Sequence, residues 1–415
     1  MNAKIICIGD ELLIGQTINT NAAWIGEFLF EYGVKVVESV CIADTKPAIL
    51  HSLGDISRNI ELVLITGGLG PTIDDITKNV LCEYFETTLE KNDNVLKHIT
   101  DFFSSRNKPM LASNIQQAYL PKKATILPNK IGTAAGMWFE KNGIVYVSMP
   151  GVPSEMKGLM KYEVLPRIVA NGKLPIQYYK TVMTQGIGES FLVEKIIVWQ
   201  EKVLNMGFKL AYLPSAGQVR IRIGGEGSNI EILKNNIQQL VNELEQLVPS
   251  YVFGYDKQTM QEVVGLALTK LKKTLGTAES CTGGFLAHLI TSTPGASKYY
   301  KGSLITYDNN IKTDLLGVPK EIIDEFGAVS EPVVYQMAKS VQEQLNVDYA
   351  ISFSGIAGPD GGSEEKPVGM IWMALATPTG ISTKRLQFGK NRHRNITMAC
   401  LTALNLLRLE LQKQL

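Results

Sequence analysis

Short, continuous apolar runs that lead directly into glycine-rich polar turns recur at both ends of this chain. Between such runs, apolar residues repeat at helical spacing, as in the stretch from Asn21, which we expect to cap a helix, to Gly33, which we expect to end it. Uniformly apolar strands that alternate with helices are typical of a parallel sheet covered on both faces. The sequence therefore predicts α/β architecture at each end, with N-terminal strands at residues 4–8, 34–42, 61–65 and 144–148.

The segment between about residues 175 and 250 follows a different pattern. A strand, a helix, two strands and a second helix follow one another there, which predicts a small α+β unit. At 415 residues the chain exceeds what one ordinary core accommodates. We therefore predict two three-layer α/β domains, at residues 1–168 and 257–415, joined by a small α+β domain at 175–250.

The overall composition excludes several classes of protein. Hydrophobic residues make up 45% of the chain, and 41 basic against 40 acidic residues give a net charge of +1. This balance argues against a nucleic-acid or membrane partner. Five scattered cysteines without a CxxC pair indicate reduced thiols rather than a disulfide framework or a zinc site. Because the N-terminus lacks the pattern of a signal peptide and no apolar stretch reaches ~18 residues, we expect a cytoplasmic protein.

The most informative C-terminal motif is Ala-Glu-Ser-Cys-Thr-Gly-Gly at residues 278–284, where a predicted strand meets a helix. Ligands of open α/β sheets bind at the carboxyl ends of strands, and a helix N-terminus there offers free amides. A serine on such a turn can attack a carbonyl group while nearby amides hold the oxyanion. The motif alone leaves two roles open for Ser280, which are nucleophile and helix cap.

Three further stretches carry polar side chains next to predicted elements. Tyr307 ends a predicted strand and Lys312 follows it, and a partly buried lysine with a lowered pKa can serve as the base of a serine. The loop at 352–363 is rich in glycine and hydroxyl groups, which suits it to wrap a phosphate or ribose. A basic run at 390–394 precedes the last helix, where an arginine can grip a phosphate with two hydrogen bonds. Ordinary surface positions remain the alternative for Lys312 and for the basic run.

A second group of polar residues follows the predicted N-terminal strands. Asp10 and Glu11 come directly after the first strand, and a glycine loop with two adjacent acids, Asp74 and Asp75, follows the strand that ends at residue 65. Glycines let a phosphate approach the backbone, and acids beside a phosphate suit a hard divalent cation. Helix capping remains the alternative for one of the two adjacent acids. The loop lacks the GK[ST] of a Walker motif and is not a GxGxxG fingerprint.

The C-terminal motifs resemble those of a known family. AESCTGG, SLITYDNNIKTDLLGV, GAVSEP and SGIAGPDGGSEEKPVG, between residues 278 and 369, are similar to the CinA C-terminal domain, the nicotinamide-nucleotide amidohydrolase. The resemblance covers about 257–413. It implies hydrolysis of nicotinamide mononucleotide (NMN) to nicotinate mononucleotide and ammonia, with no cofactor in this domain.

Position by position, the resemblance implies that Ser280 is the nucleophile and that Tyr307 and Lys312 activate it. We interpret Cys281 as a small buried neighbour rather than a rival nucleophile, and we expect amides of the Gly283 turn to hold the oxyanion. The phosphate-binding arginine is Arg392 or Arg394, because the family's GDR-type triplet here reads Lys-Asn-Arg; we favour Arg392. The other substrate-binding residues implied are Thr282, Gly283, Gly284, Ser354, Gly355 and Gly358.

The N-terminal motifs GDELLIG, NTN and TGGLGPTIDDIT resemble the CinA N-terminal domain, which is related to molybdopterin-binding proteins of the MoaB/MogA type, over about 1–165. The resemblance implies an ADP-ribose pyrophosphatase that uses a divalent metal (Mg, Mn or Co) and K⁺ and releases AMP and ribose 5-phosphate. It implies roles in metal binding or water activation for Asp10, Glu11, Asp44 and Asp75. The substrate-binding residues implied are Asn21, Gly67, Gly68, Gly70 and Thr72.

The middle segment contains GIGES at 186–190 and AYLPSAGQVRIRI at 211–223, which resemble the KH-type linker domain of full-length CinA proteins. Without a GxxG loop of the nucleic-acid-binding kind, we interpret it as a spacer and dimer-forming element.

The leading hypothesis is a homodimeric enzyme of NAD salvage with two activities. In the alternative, only the C-terminal domain is catalytic and the N-terminal domain binds a pterin or nucleotide. A DNA-binding role, which the family name competence/damage-inducible suggests, conflicts with the net charge of +1.

Overall fold

The computed structural model describes residues 1–72, 75–170 and 174–415. These residues form two compact units, one made of Met1–Tyr178 with Glu226–Ile230 and the other of Tyr179–Gly225 with Glu231–Leu415. The motif residue Asp74 lies outside the described residues. The middle and C-terminal segments belong to one compact unit, and the three domain boundaries stay a prediction.

A six-stranded mixed sheet organises the first unit. The strands of this unit are β1 (Asn2–Ile8), β2 (Lys35–Ile42), β3 (Leu62–Thr66), β4 (Leu89–Lys91), β5 (Tyr119–Pro121), β6 (Thr125–Leu127), β7 (Gly136–Lys141) and β8 (Ile144–Met149). The sheet has the order β2-β1-β3-β8-β7-β6. Strands β2, β1, β3 and β8 run parallel. Strand β7 pairs antiparallel with β8 and β6 pairs antiparallel with β7, while β4 and β5 form a separate antiparallel pair. The carboxyl ends of the four parallel strands therefore meet at one edge.

Hydrophobic cores lie on both faces of this sheet. Successive residues of β1 point to opposite faces, so Ile6 and Ile8 join one core and Ile5 and Cys7 the other. The helices of this unit are α1 (Asp10–Leu13), α2 (Thr20–Glu31), α3 (Lys46–Gly54), α4 (Thr77–Tyr84), α5 (Asp93–Ser104), α6 (Ala112–Gln116), α7 (Pro153–Leu159) and α8 (Leu165–Ala170), with a π-helical turn at Met160–Val164.

The middle segment is a four-stranded sheet with two long helices. Its elements are β9 (Gln177–Gln185), α9 (Glu189–Asn205), β10 (Lys209–Ser215), β11 (Gln218–Glu226), α10 (Ile230–Leu247) and β12 (Val252–Tyr255), with the sheet order β10-β11-β9-β12. One apolar stripe of each helix is buried, as shown by Leu192 and Trp199 on α9 and by Ile237 and Leu244 on α10.

The C-terminal segment is built on a five-stranded sheet of order β14-β13-β15-β16-β17. Its elements are α11 (Met260–Leu271), β13 (Leu275–Glu279), α12 (Phe285–Thr291), β14 (Tyr300–Ile305), α13 (Asn309–Leu316), α14 (Lys320–Phe326), α15 (Glu331–Gln344), β15 (Tyr349–Gly355), β16 (Met370–Thr377), β17 (Gly380–Gln387) and α16 (Arg392–Gln412), with a 3₁₀ turn at Ala296–Lys298. Strands β14, β13 and β15 run parallel, β16 pairs antiparallel with β15, and β17 pairs antiparallel with β16.

A buried arginine connects the last helix with the start of β12. Arg408 is 1% exposed and donates to the carbonyl oxygens of Ser250 at 2.7 Å and Val252 at 2.9 Å, while its Nε donates to Asn405 Oδ1 at 2.9 Å. Burial lowers the pKa of this guanidinium to about 10. The charge is therefore held largely by neutral oxygen acceptors.

The predicted α/β architecture is confirmed, with two corrections. Both large sheets are mixed rather than purely parallel; in the first unit, a two-residue turn at Asn142 and Gly143, both with positive φ, returns the chain antiparallel from β7 to β8. The cap of α2 is Asn19, whose side chain accepts from the amide of Ala22, and not Asn21, whose Nδ2 donates to the Gly151 carbonyl. Across the described ranges, no helix has the length and apolar character needed to span a membrane.

Candidate functional site

Ser280 lies directly after β13, at the carboxyl edge of the C-terminal sheet. The residue is 7% exposed, and its amide donates to the carbonyl of Phe353 on the neighbouring β15 at 3.2 Å. The helix-cap alternative is wrong, because α12 begins at Phe285 and its N-cap is Gly284. Among the described residues, the Ser280 hydroxyl has no hydrogen-bond partner. It is therefore available to a substrate.

Glu279, the residue before Ser280, is completely buried. Its carboxylate accepts hydrogen bonds from the amides of Gly284 at 3.0 Å, Leu286 at 3.1 Å and Ala287 at 2.8 Å. Helix N-termini expose unpaired amides and a partial positive charge, which a carboxylate neutralises. Glu279 was not among the site residues predicted from the sequence. The signal that could have identified Glu279 is an acidic residue at the end of a strand, shortly before a glycine pair and a helix.

The expectation that the Gly283 turn holds an oxyanion is wrong for most of its amides. The amide of Gly283 donates to the Ser280 carbonyl at 3.0 Å and that of Phe285 to the Thr282 carbonyl at 3.0 Å, while Gly284 donates to Glu279. The turn closes on itself, since both glycines adopt positive φ. Within the described chain, the amide of Thr282 has no acceptor and its buried hydroxyl has no partner. Thr282 therefore offers both an amide and a hydroxyl to a ligand.

Lys312 is 1% exposed and lies on α13, where we expected either a base or a surface lysine. Its Nζ donates to the Tyr307 carbonyl at 3.1 Å and to Asn309 Oδ1 at 3.4 Å. Burial lowers the pKa of Lys312, although electrostatic interactions with Asp308 and Cys281 act in the opposite direction. The surface-lysine alternative is therefore wrong. Tyr307 lies beyond β14, which ends at Ile305 rather than at Tyr307.

Arg392, the first residue of α16, reaches the same edge of the sheet. Its Nη2 donates to the Tyr307 hydroxyl at 3.2 Å and its Nη1 to the Gly358 carbonyl at 3.0 Å. The amide of Arg394 instead donates to the side chain of Asn391, which caps this helix. The geometry therefore brings Arg392 rather than Arg394 together with Tyr307 and the 352–363 loop.

Two side chains fasten the loops around this site. Asn395 is buried, and its Nδ2 donates to the carbonyls of Ala357 at 2.9 Å and Gly389 at 2.8 Å. The Ser354 hydroxyl donates to the Ala328 carbonyl at 2.6 Å, which ties the 327–332 stretch to β15. Asn395 was not predicted from the sequence, because a single polar residue in a helical pattern gives no signal of burial.

Cys281 is buried next to Ser280, as expected. Burial raises the pKa of its thiol to about 12, against the lowering effect of the positive charges of Arg392 and Lys312. A thiol that stays protonated is a poor nucleophile.

The N-terminal site lies at the carboxyl edge of the first sheet. Gly67 and Gly68 follow β3 with φ of +111° and +64°. A Cβ atom at Gly67 would lie 2.2 Å from the Ile8 carbonyl, and one at Gly68 would lie 2.1 Å from the Thr77 hydroxyl. Both positions therefore require glycine. The buried Thr77 hydroxyl and the buried Oδ1 of Asn21 have no hydrogen-bond partner among the described residues.

The four predicted acids of this site fall into two groups. Asp10 Oδ1 accepts from the amide of Asp44 at 3.3 Å, and the Glu11 carboxylate folds back over Gly9. Asp75 instead closes its own loop, accepting from the amides of Gly70 at 2.7 Å and Thr72 at 2.9 Å, and from the Thr72 hydroxyl. Both carboxylate oxygens of Asp75 are therefore engaged within the loop.

These side chains fit a divalent cation only in part. In the described portion of the chain, no three His, Cys, Asp or Glu side chains form a group that could hold a metal ion. Mg²⁺ is commonly held by one or two carboxylates together with water and substrate phosphates. Asp10 and Asp44 would be the residues that contribute, and the remaining ligands would have to come from elsewhere.

Three family models match the chain in succession. They are the probable molybdopterin binding domain over residues 4–170, the damage-inducible protein CinA KH domain over 179–254 and the CinA C-terminal domain over 257–411. These matches agree with the order of the segments described above.

Named relatives match almost the whole chain. A CinA-like protein of Cytophaga hutchinsonii is 46% identical over 411 residues, which is 99% of this chain and 98% of the relative. A CinA-like protein of Flavobacterium psychrophilum is 41% identical over 415 residues, covering 100% and 99%. Among solved structures, the competence/damage inducible protein CihA of Agrobacterium tumefaciens is 35% identical with a TM-score of 0.36, covering 37% of this chain and 93% of that protein.

Proposed function

This chain belongs to the CinA family, and on that premise we propose that its C-terminal site removes the amide nitrogen of NMN by a serine-based acyl transfer. One observation carries the proposal. At one sheet edge lie a serine hydroxyl that has no partner in the described part of the chain, a buried lysine with a lowered pKa and an arginine bound to a glycine loop. Nucleophile, base and anion-binding group are the parts that such a reaction requires.

In the first half of the reaction, Ser280 Oγ attacks the carboxamide carbon of the pyridine ring. Lys312, whose burial favours the neutral amine, takes the hydroxyl proton. The carbonyl oxygen gains negative charge, which the amide or hydroxyl of Thr282 can stabilise by a hydrogen bond. The carbon–nitrogen bond then breaks, and the nitrogen receives the proton from Lys312 and leaves as ammonia. The product on the enzyme is an ester of Ser280.

In the second half, water attacks the ester carbon and Lys312 takes a proton from it. The bond to Ser280 Oγ breaks, the proton returns to the serine oxygen, and nicotinate mononucleotide is released. Arg392 and the 352–363 loop bind the nucleotide phosphate, because an arginine pairs well with phosphate oxygens. The hydrogen bonds of Arg392 to the Gly358 carbonyl and the Tyr307 hydroxyl place its guanidinium beside this loop. The charge of Arg392 also favours an anionic substrate over its riboside.

The direct test is ammonia release from NMN in the presence of EDTA. We expect release by the unaltered protein and a loss of ~10³-fold or more for Ser280→Ala. Ser297→Ala, which alters an exposed serine of the same segment, is the matched control and should keep full activity. No release by the folded, unaltered protein would overturn the amidohydrolase proposal. Full activity of Ser280→Ala would overturn the serine mechanism alone.

For the N-terminal site we propose binding of a nucleotide pyrophosphate, with ADP-ribose as the substrate of a metal-dependent pyrophosphatase. The support is a glycine loop beside the neighbouring acids Asp10 and Asp44, together with the side-chain oxygens of Asn21 and Thr77, which have no hydrogen-bond partner among the described residues. Release of AMP from ADP-ribose on addition of Mn²⁺, with a higher Mn²⁺ concentration needed by Asp10→Asn, would support turnover. Binding of ADP-ribose without AMP release would favour the alternative of a binding module.

A further inference from the structure

Two cysteines lie opposite each other on neighbouring strands next to the N-terminal site. Cys7 on β1 is the register partner of Cys41 on β2. Paired strands are about 4.8 Å apart, and side chains of partnered residues point to the same face of the sheet. Disulfides form across Cα separations of about 4.4–6.8 Å. The backbone of this pair therefore permits a bond between the two sulfur atoms.

The side chains of the two cysteines share one polar neighbour. The Nδ2 of Asn19, the cap of α2, donates to Cys41 Sγ at 3.1 Å, and the same side chain interacts with the thiol of Cys7. The thiols of Cys7 and Cys41 also interact electrostatically with each other. Two sulfur atoms that contact the same amide group are close neighbours.

The two thiols differ in accessibility. Cys41 is exposed, whereas Cys7 is 1% exposed, and both are free in this structure. An oxidant from solution therefore meets Cys41 first, and Cys7 lies behind it as the second thiol. The other cysteines, Cys82, Cys281 and Cys400, are all buried.

We propose that Cys7 and Cys41 form a reversible redox modification site that reacts with hydroperoxides. The Cys41 thiolate attacks the peroxide oxygen, which gives a sulfenic acid on Cys41 and releases the alcohol or water of the reduced peroxide. The Cys7 thiol then attacks the Cys41 sulfur, its proton passes to the sulfenic hydroxyl, and a disulfide forms as that hydroxyl leaves as water. The two thiols lose two electrons in total, and these reduce the O–O bond. A thiol such as dithiothreitol reverses the step.

This modification would tie together the strands that lead to Asp10 and Asp44. Each acid follows its cysteine by three residues, at the carboxyl end of the same strand. The proposal stands independently of any activity at either site, because its test is chemical.

The test uses the full chain, reduced and then treated with hydrogen peroxide at low molar excess. After alkylation and digestion, mass spectrometry should show a peptide pair joined through Cys7 and Cys41, with the mass of two hydrogens lost and restored by dithiothreitol. Cys41→Ser should abolish the pair, whereas Cys82→Ser, a matched change of a buried cysteine, should leave it intact. Sulfinic acid at Cys41 with Cys7 still alkylated, or a disulfide between any other two cysteines, would overturn the proposal.

Discussion

The carboxylate of Glu279 accepts a hydrogen bond at 3.0 Å from the amide of Gly284, five residues further along the chain. Together with the hydrogen bonds from the amides of Leu286 and Ala287, this contact places a negative charge of the protein itself at the N-terminus of α12. The helix end is therefore not a vacant anion site. What it provides is a rigid turn on which Ser280 is held between β13 and α12.

Replacing this carboxylate tests that role. Glu279→Gln places an amide NH₂ group among amide donors, so we expect a loss of about 1–3 kcal/mol in the free energy of unfolding. We also expect a fall in kcat with little change in KM, because the serine is displaced rather than the binding groups. Urea denaturation and ammonia release measure the two effects. The same change at the exposed Glu321 is the control, and equal effects at both positions would show that Glu279 has no special role.

The lowered pKa of Lys312 predicts a pH dependence. Deprotonation is easier in the buried site, so the reactive neutral amine appears at a lower pH than for an ordinary lysine. We expect kcat to rise with pH on the acid side and to level off before the usual lysine range. Lys312→Arg keeps the charge but stays protonated, and it should lose both the activity and this limb of the profile. A profile that rises up to the ordinary pKa of lysine would contradict the burial argument.

Sequence patterns predicted the strands and the residues at their carboxyl ends well, because buried strands and glycine turns leave strong local signals. Ser280 was singled out in this way and Lys312 became a candidate beside it, whereas the choice of Arg392 over Arg394 rested on the family resemblance. The closing role of Asp75 and the burial of Glu279 and Asn395 were not predicted, since each depends on which backbone amides or carbonyls the fold brings near. Strand direction at the sheet edges was also mispredicted, although the Asn142–Gly143 pair carried the hairpin signal.

The roles of Arg392 and Arg394 can be distinguished by comparing a substrate that carries the phosphate with one that lacks it. Arg392→Lys removes a forked donor, and we expect KM for NMN to rise about 10- to 100-fold, as for loss of a charged hydrogen bond of about 1.5–3 kcal/mol. Arg394→Lys should leave KM unchanged, since its amide rather than its guanidinium makes the local contact. Nicotinamide riboside, which lacks the phosphate, should be insensitive to both changes. A rise in KM for Arg394→Lys alone would reverse the assignment.

Asp75 and Asp10 should differ in how they affect the N-terminal site. Asp75→Asn removes the charge that holds the amides of Gly70 and Thr72, so we expect faster hydrogen exchange at these two amides with no change in metal requirement. Asp10→Asn should leave exchange in the loop unchanged and raise the Mn²⁺ concentration needed for AMP release. Exchange mass spectrometry reads the loop directly. A shift in metal requirement for Asp75→Asn would make it a ligand after all.

The carbonyl cage around Arg408 limits how freely segments of this chain can be exchanged between relatives. The guanidinium comes from α16, but its acceptors at Ser250 and Val252 precede the C-terminal domain as the sequence delimits it. A chimera that joins the middle segment of a relative to this chain at residue 257 keeps the buried guanidinium of Arg408. The carbonyl oxygens that accept its hydrogen bonds then come from the relative's backbone. An uncompensated buried charge costs several kcal/mol, so recombination at that junction selects for partners with a matching backbone. A junction that keeps Arg408 together with its own acceptors therefore lies before residue 250, inside the middle segment rather than at its end.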